Sequence, residues 1–267
     1  MRRFGFVVLL HAWYSRSWAS NLNARLSRSS AVIIGANGGL GSAFVTALAK
    51  SRRFDLIHAL LRTRCQSLPP CAQWQSVDLE NEESIEVAAT AVKNDGVPVA
   101  LVFVATGILH KDNEFRPEKT WRAQNRDAFA RSFLINTVGP ALVAKHFLPL
   151  LDCQMQSVFA LLSARVGSIS DNRLGGWHAY RASKAALNML IRNYAIELER
   201  RNPLAVCVGL HPGTVDTALS QPFQAQIPPE QLFKPAFAAS RLLGVLDKLM
   251  PNDSGKVFAW DGKLVPE

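Results

Sequence analysis

From Ser30 onwards the chain alternates between short apolar segments and longer amphipathic segments, and this alternation limits the possible folds more than any other feature. The apolar segments are rich in Val, Ile and Leu, as parallel strands buried on both faces are. Helices of about ten residues or more between such strands predict a parallel sheet. The predicted strands are 31–34, 56–61, 99–104, 158–162, 205–210 and 257–260, and the predicted helices are 40–51, 82–94, 122–151 with a break near Gly139–Pro140, 180–200 and 237–249. The predicted fold class is α/β, with a single doubly wound parallel sheet and helices on both faces.

The length and composition suit one such domain. The chain has 267 residues, of which 48% are hydrophobic and 19% charged, so it is neither disordered nor fibrous. No apolar run approaches the roughly 20 residues of a membrane-spanning helix, so we expect no stable membrane span. Metal-ligand spacings such as HExxH are absent from the sequence, and we predict no metal site. The four cysteines form no CxxC pair, which favours reduced thiols.

The positive charge is concentrated at the N-terminus. The net charge is +9, yet residues 1–30 hold five arginines and no acidic residue. We therefore predict an extension at 1–29 before a domain at 30–267, and no nucleic-acid partner. Three interpretations of the extension stay open, namely a tail without function, a targeting segment and a membrane-surface helix. We expect a cytoplasmic protein, or an imported organellar one if residues 1–29 are a presequence.

A glycine-rich turn, Gly35-Ala-Asn-Gly-Gly-Leu-Gly41, lies between the first strand and the first helix. Glycines at such a turn allow positive φ and close approach of the backbone to a diphosphate, and the helix N-terminus favours an anion. This context predicts dinucleotide binding by Gly35, Asn37, Gly38, Gly39, Leu40 and Gly41.

The end of the second strand predicts which dinucleotide is bound. Arg62 and Arg64 stand where a protein that prefers NAD has an acidic residue for the ribose 2′-hydroxyl. Because arginine pairs with a 2′-phosphate, NADP(H) is favoured over NAD(H). Asp78 lies where a further strand would end. With Leu79 it is predicted to contact the adenine, although Asp78 could instead cap the following helix.

Tyr180 and Lys184 open a predicted helix four residues apart, so they share one helix face. A lysine ammonium group beside a phenol stabilises the phenolate and lowers its pKa. Such a tyrosine can give or take a proton at an alcohol or carbonyl oxygen.

The motifs together resemble the short-chain dehydrogenase/reductase family over residues 31–265, with the closest likeness to sniffer-like carbonyl reductases and C-factor-like proteins. The resemblance depends on the glycine turn, Asn136 in LINTVGP, the segment SARVGSISDNRLGGWHAYRASKAALNM and His211-Pro-Gly-Thr-Val-Asp-Thr217. It implies a Rossmann-type fold and hydride transfer between a nicotinamide and a small carbonyl or alcohol substrate. It also implies assembly as a homodimer or homotetramer.

The resemblance gives each matching residue a role. It implies that Tyr180 is the general acid, that Lys184 lowers the Tyr180 pKa and binds the nicotinamide ribose, and that Asn136 holds a water in a proton relay. The further cofactor contacts that it implies are Ala105, Gly107, Pro212, Gly213, Val215 and Thr217. Segments 109–114, 163–177 and 218–235 would form the substrate pocket, the last as a mobile loop. Trp177, Leu174 and Phe223 in these segments favour an apolar substrate.

The chain departs from the family pattern at the serine that orients the substrate carbonyl. When the pattern is aligned on Gly167, that position is Ala164, and Ser163 lies one residue earlier. Successive strand residues face opposite sides, so Ser163 reaches the site only if the strand end shifts. We predict Ser163 as the functional serine, with Ser168 and Ser170 as weaker substitutes. The departure keeps a second hypothesis open, a non-catalytic nucleotide-binding signalling protein of the C-factor type.

Overall fold

The computed structural model describes residues 28–64, 68–111 and 114–267, so nearly all of the predicted extension at 1–29 lies outside the described residues. The strands are β1 (Ser30–Ile34), β2 (Leu56–Leu61), β3 (Ala72–Ser76), β4 (Val99–Val104), β5 (Ser157–Leu162), β6 (Ala205–His211), β7 (Thr214–Val215), β8 (Leu232–Phe233) and β9 (Val257–Ala259). The α-helices are α1 (Gly39–Ser51), α2 (Glu82–Asn94), α3 (Arg126–Phe133), α4 (Gly139–Phe147), α5 (His178–Arg201) and α6 (Pro235–Leu246).

Seven of these strands form one parallel sheet, and β7 and β8 form a small separate pair. The order across the main sheet is β3-β2-β1-β4-β5-β6-β9. The chain moves outward from β1 to β3 and then crosses to β4 on the other side of β1. In doubly wound sheets, ligands bind beyond the carboxyl ends of the strands at this reversal. The predicted fold class is confirmed.

Apolar side chains fill the space on both faces of the sheet. On one face, α1 and α6 pack on the strands, and the rings of Phe44 and Phe103 stack with centroids 4.0 Å apart. On the other, α2, α4 and α5 cover a second cluster that contains Phe147 and Phe159. Every residue of β1 and β4 is buried. This burial explains why these strands are continuous apolar runs rather than alternating ones.

The predicted bounds of β2, α2 and β4 are the observed ones, whereas the bounds of β3 could not be predicted. None of the residues in Ala72–Ser76 is buried, because β3 is an edge strand that pairs only with β2. The hydrophobic pattern that reveals a strand is therefore weak here. The predicted loop at 218–235 contains two 3₁₀ segments, Gln221–Gln226 and Pro229–Gln231, together with β8.

The predicted break near Gly139–Pro140 is wrong. α3 continues through a π-helical turn, Leu134–Val138, directly into α4. Pro140 has no N–H and cannot complete a regular helical ladder. The wider π turn just before it adjusts the backbone without ending the helix, and such turns are frequent at functional sites. Asn136 lies in this turn.

Among the described residues, one helical stretch, Arg126–Leu150, is long and apolar enough to cross a membrane by length and composition alone. It includes α3 and α4, which pack against α5 and α2 respectively. Because buried helices of globular domains have the same composition, this stretch does not indicate a membrane protein.

The buried His58 makes stability depend on pH. The residue is 0% exposed, and neither ring nitrogen has a hydrogen-bond partner. Burial lowers the pKa of His58 below its ordinary value of 6.5, although the Asp95 carboxylate, 3.8 Å away, opposes the shift. The unfolded chain therefore binds this proton more readily than the folded chain. Folding stability is unaffected well above pH 6.5 and falls below it.

We expect His58→Leu to weaken the loss of stability on acidification, because leucine takes up no proton. The wild-type free energy of unfolding should fall between pH 6.5 and pH 5, with His58 contributing at most about 1.4 kcal/mol per pH unit. Urea unfolding of both proteins across this range measures the difference. Identical pH slopes for the two proteins would show that His58 does not titrate on unfolding.

Candidate active site

The glycine-rich turn is closed so tightly that side chains do not fit in it. Gly35 has φ of +81°, and a Cβ on Gly41 would lie 2.2 Å from the Gly35 carbonyl oxygen. A Cβ on Gly39 would lie 2.5 Å from Thr217 Cγ2, so the start of α1 touches the segment after β6. The first turn of α1 has no acidic residue, and Gly38 before it makes no side-chain cap. The N–H groups there are available for an anion.

Next to this turn lies a groove of about 280 Å³ at the carboxyl ends of β1, β2 and β4. Eight of the predicted cofactor residues line it, namely Gly35, Asn37, Gly38, Arg62, Asp78, Leu79, Ala105 and Gly107. Leu40 and Val215 are predicted contacts as well, yet their side chains belong to the apolar core. Any ligand contact by these two residues would come from backbone atoms.

The predicted alternatives for Asp78 can be compared in the structure. Its carboxylate accepts a hydrogen bond from the Glu80 N–H at 3.1 Å, and its own N–H donates to Ser84 Oγ. The residue preceding α2 is Asn81. The Asp78 carboxylate therefore closes a local turn at the groove and does not cap the helix.

One ion pair in the groove could not be predicted from the sequence. Arg131 on α3 donates to the Glu80 carboxylate at 2.5 Å, and this bond lowers the pKa of Glu80. Arg62, which is exposed, adds a smaller effect in the same direction. The two partners of the ion pair are 51 residues apart, and no local spacing indicates that they meet. Their pairing offsets the carboxylate charge close to Arg62.

Tyr180 and Lys184 lie side by side in α5, and both are almost fully buried. The lysine Nζ lies 5.9 Å from the centroid of the tyrosine ring and donates to the Leu162 carbonyl oxygen at 2.8 Å. Burial lowers the pKa of Lys184 to about 7 and raises the pKa of Tyr180 to about 12. Burial thus disfavours the charged form of each group.

Asn136 connects this pair to the loop after β4. Its Oδ1 accepts from the Ile108 N–H at 2.8 Å, and its Nδ2 donates to the Ile108 carbonyl at 2.9 Å and to Ser183 Oγ at 3.0 Å. A Cβ on Gly107 would lie 3.5 Å from both Asn136 Oδ1 and Lys184 Nζ. Gly107, which lines the groove, therefore lies between the two predicted catalytic residues.

The prediction for Ser163 disagrees with the geometry. Its hydroxyl donates to Asn188 Oδ1 on α5 at 2.5 Å, and the residue is 4% exposed. Ala164 is the residue that packs in one cluster with Tyr180 and Leu109. The pairing of β5 with β6 continues without a shift to Leu162, and the Ser163 N–H donates to the Leu210 carbonyl, so the alternation of side chains predicts that Ser163 points away from Tyr180. The substitute Ser168 is also engaged, since its hydroxyl accepts from the Asp171 N–H.

An aromatic wall stands beside Tyr180. The Trp177 ring is 5.3 Å from Phe223 and 6.3 Å from Tyr180, measured between centroids. Phe223 belongs to the segment after β7, and His110 Nε2 contacts the Ala218 carbonyl oxygen of the same segment at 3.1 Å. The predicted pocket segments 109–114, 163–177 and 218–235 thus meet at Tyr180 through their described residues. Leu174 is 90% exposed and does not belong to this wall.

The segment after β6 is held in place by packing and by a short strand pair. Gly213 has φ of +76°, and a Cβ there would lie 2.6 Å from the Phe233 ring. The adjoining Thr214–Val215 pairs with β8, which holds this segment against the rest of the domain. Of the predicted contacts here, Thr217 is the one whose side chain reaches the glycine turn, as described above.

The comparisons with known proteins agree with this geometry. A sequence profile of the short chain dehydrogenase family matches residues 29–228. A 1-hydroxy-2-glutathionyl-2-methyl-3-butene dehydrogenase of Rhodococcus sp. (strain AD45) is 33% identical over 192 residues, which cover 71% of this chain and 77% of that protein. The C-signal protein of Myxococcus xanthus is 37% identical over 137 residues, which cover 51% of this chain and 77% of that protein.

A solved structure shares the fold over nearly the whole domain. The NADPH-bound carbonyl reductase from chicken fatty liver superposes with a TM-score of 0.77 at 26% identity, over 90% of this chain and 94% of that one. The chain belongs to the short-chain dehydrogenase family, which confirms the predicted resemblance, and it is an oxidoreductase by family.

We expect Ser163→Ala to lower stability by about 1–2 kcal/mol, because it removes a buried hydrogen bond to Asn188. Thermal and urea unfolding measure the loss, and a double-mutant cycle with Asn188→Ala should show coupling between the two sites. The exposed Ser170 is a matched control, whose change to alanine should stay within about 0.5 kcal/mol. Unchanged stability in Ser163→Ala, together with lost turnover, would contradict this structural role.

Proposed function

We propose that this protein is an NADP(H)-dependent oxidoreductase that interconverts a carbonyl and an alcohol by hydride transfer, with Tyr180 as proton donor and acceptor. One observation carries the proposal. Tyr180 and Lys184 are buried together where the groove of the glycine turn ends, with Gly107 in contact with both the groove and the lysine. This arrangement supports the proposal of a proton-transfer pair at the end of a dinucleotide site.

The residues present fit such a cofactor. Cβ atoms on Gly35, Gly39 and Gly41 would collide with neighbouring protein atoms, so the turn presents backbone to a ligand, and the uncapped start of α1 offers N–H groups to a diphosphate. Arg62 would pair with a 2′-phosphate and favours NADP(H), while Leu79 would lie against the adenine. When bound, the nicotinamide would supply or accept the hydride.

The side chains of the protein would donate the proton to the substrate and replace it afterwards. Tyr180 would donate its phenolic proton to the carbonyl oxygen during reduction. An anionic ligand in the groove favours the charged form of Lys184, and that charge lowers the Tyr180 pKa from its raised value. Asn136, fixed to Ile108 and Ser183, would hold a water that returns a proton through Lys184.

The substrate would be a small apolar carbonyl or alcohol bound against Trp177 and Phe223. We assign this activity to a domain at 30–267 with an extension at 1–29, and we expect it in the cytoplasm unless the extension directs import. Exposed apolar side chains on the helices, Val138, Met189 and Ile196, are consistent with a homodimer or homotetramer.

A second candidate function is a nucleotide-binding signalling protein without turnover. It is favoured by Ala164 at the serine position and by the similarity to the C-signal protein. The two candidates differ in one measurement, since both predict NADPH binding and only the first predicts NADPH oxidation with a panel of aldehydes and ketones.

We expect Tyr180→Phe to lower kcat for carbonyl reduction by about 10²- to 10⁴-fold, because the general acid is lost. Steady-state NADPH oxidation measures the effect, and NADPH binding by fluorescence should persist. Tyr194→Phe is the matched control, since Tyr194 is another tyrosine on α5, which is partly buried and lies outside the proposed site. Full turnover in Tyr180→Phe would remove the proposed mechanism.

We expect Arg62→Ala to raise the KM for NADPH by about tenfold or more while leaving the KM for NADH unchanged, because one charge-assisted contact to the 2′-phosphate is lost. Titration with each cofactor at constant ionic strength measures the ratio. Arg200→Ala, at the exposed far end of α5, controls for general charge effects. Equal use of both cofactors by the wild type would refute the assignment of Arg62.

A further inference from the structure

The position that packs beside Tyr180 is occupied by an alanine. Ala164 is 8% exposed and packs in one cluster with Tyr180 and Leu109. The partly buried side chains packed on this cluster include Trp177 and Phe223. Alanine has no hydrogen-bonding group, so position 164 offers a substrate oxygen only a methyl contact.

The polar side chains that flank the cluster are engaged elsewhere. The Ser163 hydroxyl donates to Asn188, the Lys184 ammonium group donates to the Leu162 carbonyl, and His110 Nε2 contacts the Ala218 carbonyl. Ser168 Oγ is held between the Asp171 N–H and the Glu267 carbonyl oxygen. Among the described residues, Tyr180 is therefore the hydroxyl donor that packs against Ala164, and His178 Nε2, which is buried without a partner, is its rival.

A site that gives the carbonyl oxygen one hydrogen-bond donor in place of two favours different carbonyl compounds. During hydride addition the carbonyl carbon gains a C–H bond and two electrons, and the C=O π pair moves to the oxygen, which takes the Tyr180 proton as NADPH becomes NADP⁺. Removing one hydrogen-bond donor from a developing oxyanion typically lowers kcat by about 10²- to 10³-fold. An electron-withdrawing group on the substrate spreads the same charge and makes up part of that loss.

We propose that Ala164 makes this site selective for electron-poor aryl carbonyl compounds, whose own substituents replace the missing hydrogen bond. The aryl part follows from the wall of Trp177 and Phe223, because aromatic rings stack against one another favourably. This inference rests on the proposed function, and it adds the substrate class and the residue that determines it.

The first experiment is a reactivity series with wild type and Ala164→Ser. The probes are para-substituted acetophenones, with nitro, hydrogen and methoxy substituents, which change electron demand while the ketone stays the same. A 4-deuterated NADPH isotope effect confirms that hydride transfer limits kcat/KM. For the wild type we expect a steep fall in kcat/KM from the nitro to the methoxy compound.

Ala164→Ser should raise kcat/KM for the methoxy compound by about tenfold or more and for the nitro compound by less, so that the series becomes flatter. Ala164→Cys is the matched control, because its side chain has a similar shape and only a weak donor. The cysteine variant should keep the steep wild-type series. An equal change for all probes in Ala164→Ser, or the same flattening in Ala164→Cys, would overturn the proposal, because position 164 would then act through its size.

A second measurement needs no turnover. The infrared C=O stretch of a ketone bound with NADP⁺ reports the hydrogen bonds to its oxygen, and it should move to lower frequency in Ala164→Ser than in the wild type. His178, whose Nε2 is buried without a partner, is the rival donor. If His178→Leu moves the wild-type stretch to higher frequency, a second donor is present and the proposal is wrong.

Failure of the proposed function and failure of the proposed role of Ala164 give different experimental results. If no probe is reduced by the wild type or by Ala164→Ser, the proposed function fails, and the infrared comparison still decides whether Ala164 leaves the carbonyl with one donor. If reduction depends on Tyr180 but the reactivity series is already flat in the wild type, only the inference about Ala164 fails. A melting temperature for each variant excludes misfolding as the cause.

Discussion

The Asn136 side chain joins the three parts of the chain that form the site. It bonds both backbone groups of Ile108 after β4 and the Ser183 hydroxyl on α5, and it is 0% exposed. It can do so because the π turn rotates it out of the regular helical register. A buried amide with all these bonds made is costly to disturb, since any lost partner leaves a desolvated group. The spacing between Gly107 and Lys184 therefore depends on this one side chain.

Much of the fold could be predicted because its signals are local. The buried strands are continuous apolar runs, and the glycine turn follows one of them directly, so the sheet and the tight glycine turn are both visible in the sequence. The π turn and the Glu80–Arg131 ion pair could not be predicted. The ion pair joins residues 51 positions apart, and the turn replaces a break that Gly139–Pro140 would ordinarily indicate.

The contact made by Ser163 likewise could not be predicted from a local pattern. The resemblance implies that Ala164 occupies the position of the family's serine, and the alternation of strand side chains predicts that Ser163 points the other way unless the strand end shifts. Sequence alone leaves that shift undecided. In the structure Asn188 accepts the Ser163 hydroxyl, and Ala164 keeps its place beside Tyr180. The departure from the family pattern thus lies at a position that packs against Tyr180.

Burial links the proton chemistry of the proposed enzyme to ligand binding. Desolvation lowers the pKa of Lys184 to about 7 and raises the pKa of Tyr180 to about 12, so burial favours the neutral form of both groups. Negative charge brought into the groove would favour the lysine cation, and the cation in turn would favour the phenolate. Of the described side chains packed in the cluster with Ala164, Tyr180 is the one that carries a hydroxyl, and the rival donor is His178, whose Nε2 is buried without a partner. Lys184 and Tyr180 must then stabilise more of the negative charge that develops on the carbonyl oxygen than they would beside a serine. Under the proposal, an electron-withdrawing substituent on the substrate reduces that charge.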